Sequence, residues 1–275
     1  MNDIKNYFHI AMGIHNQNNY FIHSLVALES FCSQCSIPVS AHIFFDNTLN
    51  SKQIELFEII INNHNGEINF IDLSTYLAEI PLLPAFKNFS IGCLFRLFIP
   101  EFYQKENILY IDSDVFATGD PSKIYSSNTI NQYMISAVKD VSCHIHPMNQ
   151  YIIDIGCDPN TYFNSGVLYF NCSNVHSLVP DFTNKAIKLL VSHPKFMFPD
   201  QDVLNSLLKD KINFLSSKAN YQISYGKRVM MPIEQLQDKV LHYSGIKPWE
   251  YIYPAGMIYW QNRKALLNHI SLTNM

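Results

Sequence analysis

The segment ENILYIDSDVFATGD, residues 106–120, decides the fold class of this chain. Its apolar run Ile108–Ile111 predicts a short buried strand, and Asp112 and Asp114 follow where that strand should end. Alternate residues of an extended segment point to the same side, so the two carboxylates can converge. They repel each other unless a cation lies between them, and a hard divalent ion prefers such ligands. We therefore predict a metal site suited to a diphosphate, with a simple turn or helix cap as the alternative.

Composition places the chain among ordinary globular proteins. Hydrophobic residues make up 48% of the 275 positions and charged residues 15%, which is enough apolar material for a large core. The length fits one large domain, or one domain with an appended subdomain. The net charge of −4 argues against nucleic acid as a partner, because nucleic-acid binders usually carry a basic stripe.

The amino terminus, MNDIKNYFHIAMG, lacks a basic region followed by an apolar signal core. No apolar run reaches the length of a membrane span. These features predict a cytoplasmic protein with reduced thiols. Cys32 and Cys35 form a C-x-x-C pair without a second pair to complete a zinc site, so we expect two ordinary thiols.

Strand-like and helix-like segments alternate through the first two thirds of the chain. Strands are predicted at 6–13, 38–45, 67–73, 108–111, 133–138 and 162–170, and helices at 20–31, 51–63, 91–103, 181–191 and 201–208. This order predicts an α/β fold with a mostly parallel sheet covered on both faces, whose ligands bind beyond the carboxyl ends of the strands. Residues 141–160 are expected to form a long loop or small excursion, and the part after residue 245 to be less regular.

Three further motifs carry polar side chains that suit a ligand site. In HYSGIKPW, His242 is a good ligand for a transition-type ion, Lys247 can neutralise a phosphate, and Gly245 lets the backbone approach an anion. In FNSGV, Asn164 precedes a glycine in an apolar strand, which indicates a sugar-binding amide or a β-bulge. In PDQDVL, the acidic residues suit either a site or the start of a helix.

Together and in this order, these motifs resemble one family: the retaining, nucleotide-sugar-dependent glycosyltransferases of glycogenin and of lipopolysaccharide galactosyl and glucosyl transfer, glycosyltransferase family 8. The resemblance spans residues 7–250 and is carried by GIHNQNNY, SIGCLFRLFIPEF, ILYIDSDVFATGD, residues 137–140, YFNSGVLYFN, PDQDVLN and HYSGIKPW. It implies a single Rossmann-like nucleotide-sugar-binding domain of GT-A type over residues 1–250. A small, aromatic-rich extension would follow over residues 251–275.

The resemblance also implies a role for each matching position. Asp112, Asp114 and His242 would bind Mn²⁺ or Mg²⁺ bridging the donor diphosphate. The nucleotide would contact Ala11, Met12, Gly13, His15, Asp112, Ser113, Gly245 and Lys247. The donor sugar would be surrounded by Arg96, Asp140, Asn164, Asp200 and Gln201, with Asp140, Asp200 and Gln201 as the catalytic group.

Three positions depart from the family pattern. His15 stands where relatives usually carry an aspartate that contacts the base. One residue separates Gly245 from Lys247 where many relatives have two, and Leu94 replaces a frequent aromatic residue. The first two departures bear on base and phosphate binding, and the third on packing alone.

The implied activity is metal-dependent transfer of a hexose, glucose or galactose, from a UDP-sugar to a saccharide or lipid-linked glycan in bacterial lipopolysaccharide, O-antigen or other surface-glycan synthesis. Membrane contact would be at most peripheral, at the inner face. Gln201 occupies the place of the family's candidate nucleophile, and an amide is a poor nucleophile, which favours same-face attack. Two alternatives stay open: a haloacid-dehalogenase-like phosphohydrolase using Asp112 and Asp114, and a non-catalytic nucleotide-sugar binder.

Overall fold

The computed structural model describes residues 6–126, 132–209 and 211–273. Its strands are β1 (Phe8–Ile14), β2 (Val39–Phe45), β3 (Glu67–Asp72), β4 (Asn107–Ile111), β5 (Val115–Ala117), β6 (Ile135–Ala137), β7 (Val167–Asn171), β8 (Ile212–Phe214), β9 (Tyr221–Gln222) and β10 (Val240–His242). Its α-helices are α1 (Tyr20–Gln34), α2 (Ser51–Asn63), α3 (Ser74–Leu77), α4 (Ile99–Phe102), α5 (Pro121–Ile124), α6 (Met148–Asp154), α7 (Cys172–Leu178), α8 (Phe182–Ser192), α9 (Pro199–Leu208) and α10 (Met257–Thr273).

A seven-stranded sheet with the order β3-β2-β1-β4-β7-β6-β8 forms the centre of the molecule. β7 runs antiparallel to both of its neighbours, and the other four pairs are parallel. The predicted α/β fold with a mostly parallel sheet is therefore confirmed. A second sheet, β5-β10-β9, extends from the turn after β4, and in it β10 pairs antiparallel with β5.

The central strands divide their side chains between two cores, as a period of two requires. On β4, Leu109 and Ile111 pack into the core that also holds buried residues of α1, α2 and α10. Ile108 and Tyr110 pack into the opposite core, with residues of α7, α8 and α9. Because helices cover both faces, these strands are almost continuously apolar.

Local signals explain why some elements match their prediction closely. Helix α2 has the predicted bounds because Asn50 caps it: its side chain accepts a hydrogen bond from the Gln53 amide, and the Gln53 side chain bonds back to the Asn50 amide. It ends before Asn65, which adopts a φ of 54° ahead of Gly66.

Other predictions of local structure are wrong or incomplete. Residues 91–103 do not form one helix: a 3₁₀ helix, Ile91–Phe98, leads into α4, and Pro100 lies in the first turn of α4, where its missing N–H costs least. The 3₁₀ helix begins after Ser90, whose side chain makes no capping hydrogen bond. The region after residue 245 is more regular than predicted, because it contains the long helix α10. The excursion of residues 141–160 contains the short helix α6.

Among the described helices, none combines the length and the apolar character that a membrane crossing requires.

Candidate active site

A cleft of about 760 Å³ opens beyond the carboxyl ends of β1 and β4. The residues that the sequence predicted and that line it are Gly13, His15, Arg96, Asp112, Ser113, Asp114, Asp140, Asn164, Asp200, Gln201, His242, Gly245 and Lys247. Ala11 and Met12 are not among the lining residues, since their side chains are fully buried in the two cores. A nucleotide contact from these two would have to come from the backbone.

Asp112, Asp114 and His242 form a cluster suited to a metal ion. Each offers one ligand atom, and these atoms all lie within 4.8 Å of one another. The antiparallel pairing of β10 with β5 places His242 opposite Val115, directly beside the two aspartates. The three ligands therefore come together only through tertiary pairing of two distant segments.

Two observations test whether a divalent ion fits this cluster. The Oδ1 atom of Asp114 is buried and has no hydrogen-bond partner, and a bound cation would satisfy it. A Cβ atom added to Gly166 would lie 2.3 Å from Cε1 of His242 and 2.9 Å from Oδ2 of Asp112. The ligands thus pack against a bare backbone, and the donor set of two carboxylates and an imidazole suits Mn²⁺ or Mg²⁺.

Arg96 is buried between the metal cluster and α9. Its guanidinium lies 2.7 Å from Oδ1 of Asp112 and 3.2 Å from Oδ2 of Asp200, and it also donates to the carbonyl oxygen of Ser165. Burial alone would lower the pKa of Arg96, but Asp112 and Asp200 raise it above its ordinary value. Arg96 lines the cleft as predicted, yet its charge is already engaged in holding these two carboxylates.

The two aspartates of the cluster differ in their electrostatic surroundings. Burial raises the pKa of Asp112, and the charge of Asp114 adds to that rise while Arg96 opposes it. Burial also disfavours ionised Asp114, but Lys247 and His242 outweigh it, so the pKa of Asp114 is lowered. Nζ of Lys247 lies 2.5 Å from Oδ2 of Asp114. The short Gly245–Lys247 spacing therefore still delivers the lysine to the cleft.

The predicted donor-sugar residues form a buried hydrogen-bond network at the other end of the cleft. The Nδ2 group of Asn164 donates to Oδ2 of Asp140 at 3.2 Å, and the Nε2 group of Gln201 donates to the same oxygen at 3.2 Å. Oε1 of Gln201 accepts the backbone N–H of Ser165 at 3.0 Å. The side chain of Gln201 is thus held by bonds at both its oxygen and its nitrogen.

Asp202 lies outside the cleft and has a structural role. It accepts hydrogen bonds from the hydroxyls of Tyr151 and Tyr162 and from the backbone N–H of Phe198. Burial raises its pKa to about 6 in spite of these bonds. Since Tyr151 lies in α6, Asp202 ties the excursion of residues 141–160 to the helix that carries Gln201.

Comparison with known proteins identifies the family. The family model "Glycosyl transferase family 8" matches residues 9–253. The chain belongs to glycosyltransferase family 8. A lipopolysaccharide 1,2-glucosyltransferase of Escherichia coli strain K12 is 30% identical over 241 residues, covering 77% of this chain and 69% of the relative. The glycosyltransferase GlyB of Streptococcus pneumoniae serotype 4 is 26% identical over 87% of this chain, which spans only 57% of GlyB.

The fold is also that of a solved family structure. The galactosyltransferase LgtC, determined in complex with donor and acceptor sugar analogs, superposes with a TM-score of 0.76 at 20% identity, covering 94% of this chain and 96% of LgtC. This likeness confirms the GT-A architecture. Family 8 membership also shows that the haloacid-dehalogenase alternative is wrong.

Two further residues that contact the candidate site were not predicted from the sequence. Oδ2 of Asp46, directly after β2, lies 2.6 Å from Nδ1 of His15. Burial opposes ionisation of Asp46, but hydrogen bonds from His15 and Thr48 outweigh it and lower its pKa. Asn220 bonds to both His242 and Asn164. A polar residue at the end of a parallel strand could have indicated Asp46, whereas no local signal distinguishes Asn220.

Proposed function

We propose that this glycosyltransferase moves a hexose from a UDP-sugar to a glycan acceptor, using a divalent ion held by Asp112, Asp114 and His242. The observation that carries the proposal is the cluster itself: three ligand atoms lie within 4.8 Å of one another, and Asp114 has a buried oxygen, Oδ1, without a hydrogen-bond partner. Bound there, Mn²⁺ or Mg²⁺ would supply a Lewis acid that neutralises charge on the leaving diphosphate.

The chain's own residues would divide the remaining work. Lys247, whose pKa Asp114 raises although burial lowers it, would add positive charge beside the diphosphate. The carboxylate of Asp140, held by Asn164 and Gln201, would face the positive charge that develops on the sugar. Gln201 would position the donor and not attack it, because its oxygen already accepts the Ser165 amide. This arrangement favours same-face attack with retention of anomeric configuration.

His15 would recognise the base. When the neutral imidazole donates Nδ1–H to the carboxylate of Asp46 at 2.6 Å, the other ring nitrogen, Nε2, keeps a lone pair. Uracil presents an N–H donor at N3, which such an acceptor would satisfy. The histidine would thus serve the same donor group as the aspartate that is usual in relatives, with Asp46 fixing its tautomer.

Relatives favour surface glycans as the acceptor class. The chain resembles enzymes named for lipopolysaccharide 1,2-glucosyl transfer in Escherichia coli and for lipopolysaccharide 1,3-galactosyl transfer in Salmonella typhimurium. We therefore propose a saccharide or lipid-linked glycan acceptor, with the enzyme acting in the cytoplasm and in at most peripheral contact with the inner face of the membrane. The donor would be UDP-glucose or UDP-galactose.

Substitution of Asp114 tests the proposal. Asp114→Asn removes a metal-ligand charge and the charged partner of Lys247. The assay measures UDP release from UDP-glucose or UDP-galactose in the presence of Mn²⁺ and a panel of core oligosaccharides. The rate of release should fall by at least about 10³-fold. Asp120→Asn is the matched control, because Asp120 caps α5 outside the cleft. Full turnover by Asp114→Asn, or by the wild type in excess chelator, would contradict the metal site. Tight UDP binding without any turnover would favour a non-catalytic binder.

A further inference from the structure

Asn220 is a buried residue that joins the two ends of the active site. It closes a 3₁₀ helix, Ser217–Asn220, between β8 and β9, and only 1% of it is exposed. Its side chain lies 2.9 Å from Oδ1 of Asn164 and 3.1 Å from Nδ1 of His242. It is not among the residues that line the cleft. It therefore touches a metal ligand and a donor-sugar residue from behind.

The orientation of each amide in this network follows from groups whose donor or acceptor character is fixed. The backbone N–H of Gly166 can only donate, and it lies 3.1 Å from a side-chain atom of Asn164, which must be Oδ1. The other side of Asn164 then presents Nδ2 to the carboxylate of Asp140, which suits an ionised acceptor. Both ends of the Asn164 amide are thus determined independently.

The same reasoning passes through Asn220 to His242. Since Oδ1 of Asn164 is an acceptor, the Asn220 atom that faces it must be the donor Nδ2. Oδ1 of Asn220 therefore faces Nδ1 of His242, and Nδ1 must carry the hydrogen. In the neutral form of the ring, Nε2 then keeps its lone pair, and it lies 3.4 Å from Oδ1 of Asp114. In that neutral form the two acceptors face each other, and a metal cation bound by both would remove their repulsion.

We propose that Asn220 is a positioning residue that holds His242 in the Nδ1–H tautomer, with Nε2 free to bind the metal, and that couples this ligand to Asn164. The inference rests on the proposed metal-dependent function and adds a residue that no motif of the sequence revealed. Outer-shell partners of metal-binding histidines fix tautomer and ring orientation in this manner. The coupling also predicts that one hydrogen-bonded unit contacts both the metal site and the donor-sugar site.

The tautomer is testable on the metal-free protein. In protein with ¹⁵N-labelled histidine, NMR of the neutral His242 ring should show its single hydrogen at Nδ1, with the signal assigned by its loss in His242→Gln. Asn220→Ala should abolish this preference while the far-ultraviolet circular dichroism and a cooperative melt are kept. An Nε2–H tautomer in the wild type would overturn the inference, whatever the activity of the enzyme.

Metal affinity supplies a second readout. Titration with Mn²⁺ in the presence of UDP, followed by electron paramagnetic resonance, should show 10- to 100-fold weaker binding by Asn220→Ala, in the range usual for outer-shell partners. Asn213→Ala is the control, because this half-buried amide bonds to Ser136 away from the site. Unchanged Mn²⁺ affinity in folded Asn220→Ala would overturn the proposal.

The variant Asn220→Asp separates the two halves of the coupling. A carboxylate still accepts Nδ1–H of His242 but meets Oδ1 of Asn164 with a second acceptor. Mn²⁺ affinity should stay within about threefold of wild type, while the KM for the UDP-sugar rises about tenfold. If the Mn²⁺ affinity and the KM for the UDP-sugar worsened by the same factor, the result would contradict a coupling role. If the wild type itself bound no Mn²⁺, the proposed function would fail, whereas the tautomer experiment would still decide the inference.

Discussion

Single side chains determine the geometry of the end of the cleft where we propose that the base binds. Oδ1 of Asp46 accepts the backbone N–H of Thr48 at 3.1 Å, which leaves Oδ2 for Nδ1 of His15 at 2.6 Å. Gly92 lies beneath the histidine, because a Cβ atom added there would be 2.8 Å from Cβ of His15. Gly92 therefore packs against the base of the His15 side chain, while the carboxylate of Asp46 contacts the ring at Nδ1.

Asp46→Asn should change Nε2 of His15 from a hydrogen-bond acceptor into a donor. The amide oxygen keeps the turn at Thr48, so the new NH₂ group faces Nδ1 of His15 and moves the ring hydrogen to Nε2. UDP affinity should fall about tenfold, because the N3–H of uracil then meets a donor. CDP, whose N3 is an acceptor, should lose less. Isothermal titration with both nucleotides in the presence of Mn²⁺ measures the ratio.

Asp72→Asn is the matched control for this experiment. Asp72 ends the neighbouring strand β3 and accepts the N–H of Ser74 at 2.8 Å in the same kind of turn, but it does not line the cleft. Its UDP-to-CDP ratio should equal that of the wild type. A ratio that is also unchanged in Asp46→Asn would show that His15 does not read the base.

At the scale of elements, an aromatic cluster docks α10 onto α1. The ring of His23 stacks on Trp249 with centroids 3.7 Å apart, and its Nδ1 lies 2.8 Å from the hydroxyl of Tyr259. Burial, with help from the charge of Arg263, lowers the pKa of His23 to about 4. This histidine is therefore neutral in the folded protein at neutral pH.

The buried, neutral His23 predicts that the free energy of unfolding decreases in mild acid. The folded-state pKa of His23 lies below its ordinary value of 6.5, so the unfolded chain binds more protons than the folded protein between pH 6.5 and 4. The contribution of neutral His23 to the free energy of unfolding is therefore complete above pH 6.5 and is lost as the pH falls toward 4. Urea unfolding should give about 1–2 kcal/mol less stability at pH 5 than at pH 7 from this group, after allowance for solvent screening.

The variant His23→Gln should reduce this pH dependence by that amount, and substitution of the exposed His144 by glutamine should leave it unchanged. The dependence should not vanish in His23→Gln, because burial also lowers the pKa of His42 to about 4. An identical pH dependence in wild type and His23→Gln would contradict a buried neutral His23.

At the scale of the whole molecule, the carboxyl-terminal segment completes the main core. The side chains of Tyr253, Ile258, Tyr259 and Leu266 are buried in the same core as strands β1 and β4. The hydroxyl of Tyr243 donates to the carbonyl oxygen of Ala255 at 2.6 Å. These contacts tie residues after 250 to the segment that carries His242 and Lys247, while the predicted division at residue 250 stays a prediction.

A chain that ends after Glu250 tests that division. It would expose several large apolar side chains and lose burial worth on the order of 10 kcal/mol, which is comparable with the whole stability of a typical domain. We expect no cooperative thermal unfolding by calorimetry. A chain that ends after Thr273 is the control and should melt like the full chain. A cooperative melt of residues 1–250 would instead support an independent catalytic domain.

The sequence by itself determined the order of the main elements up to residue 208, the α/β class and the polar residues that follow strands. Asp112 and Asp114 follow the apolar strand β4, and periodicity together with turn chemistry is a local property that the chain displays directly. The bounds of α2 were read correctly because its cap and its Asn-Gly end lie within the helix's own neighbourhood.

Only the tertiary structure decided which polar atoms meet. His242 reaches the aspartates through pairing of β10 with β5, Asp46 meets His15 across two parallel strands, and Asn220 joins His242 to Asn164. Helix α10 was missed because its apolar positions do not form one clear stripe, and its packing against α1 and α2 stabilises it. Contacts between distant segments depend on how the sheet pairs and closes, and no local pattern encodes that pairing.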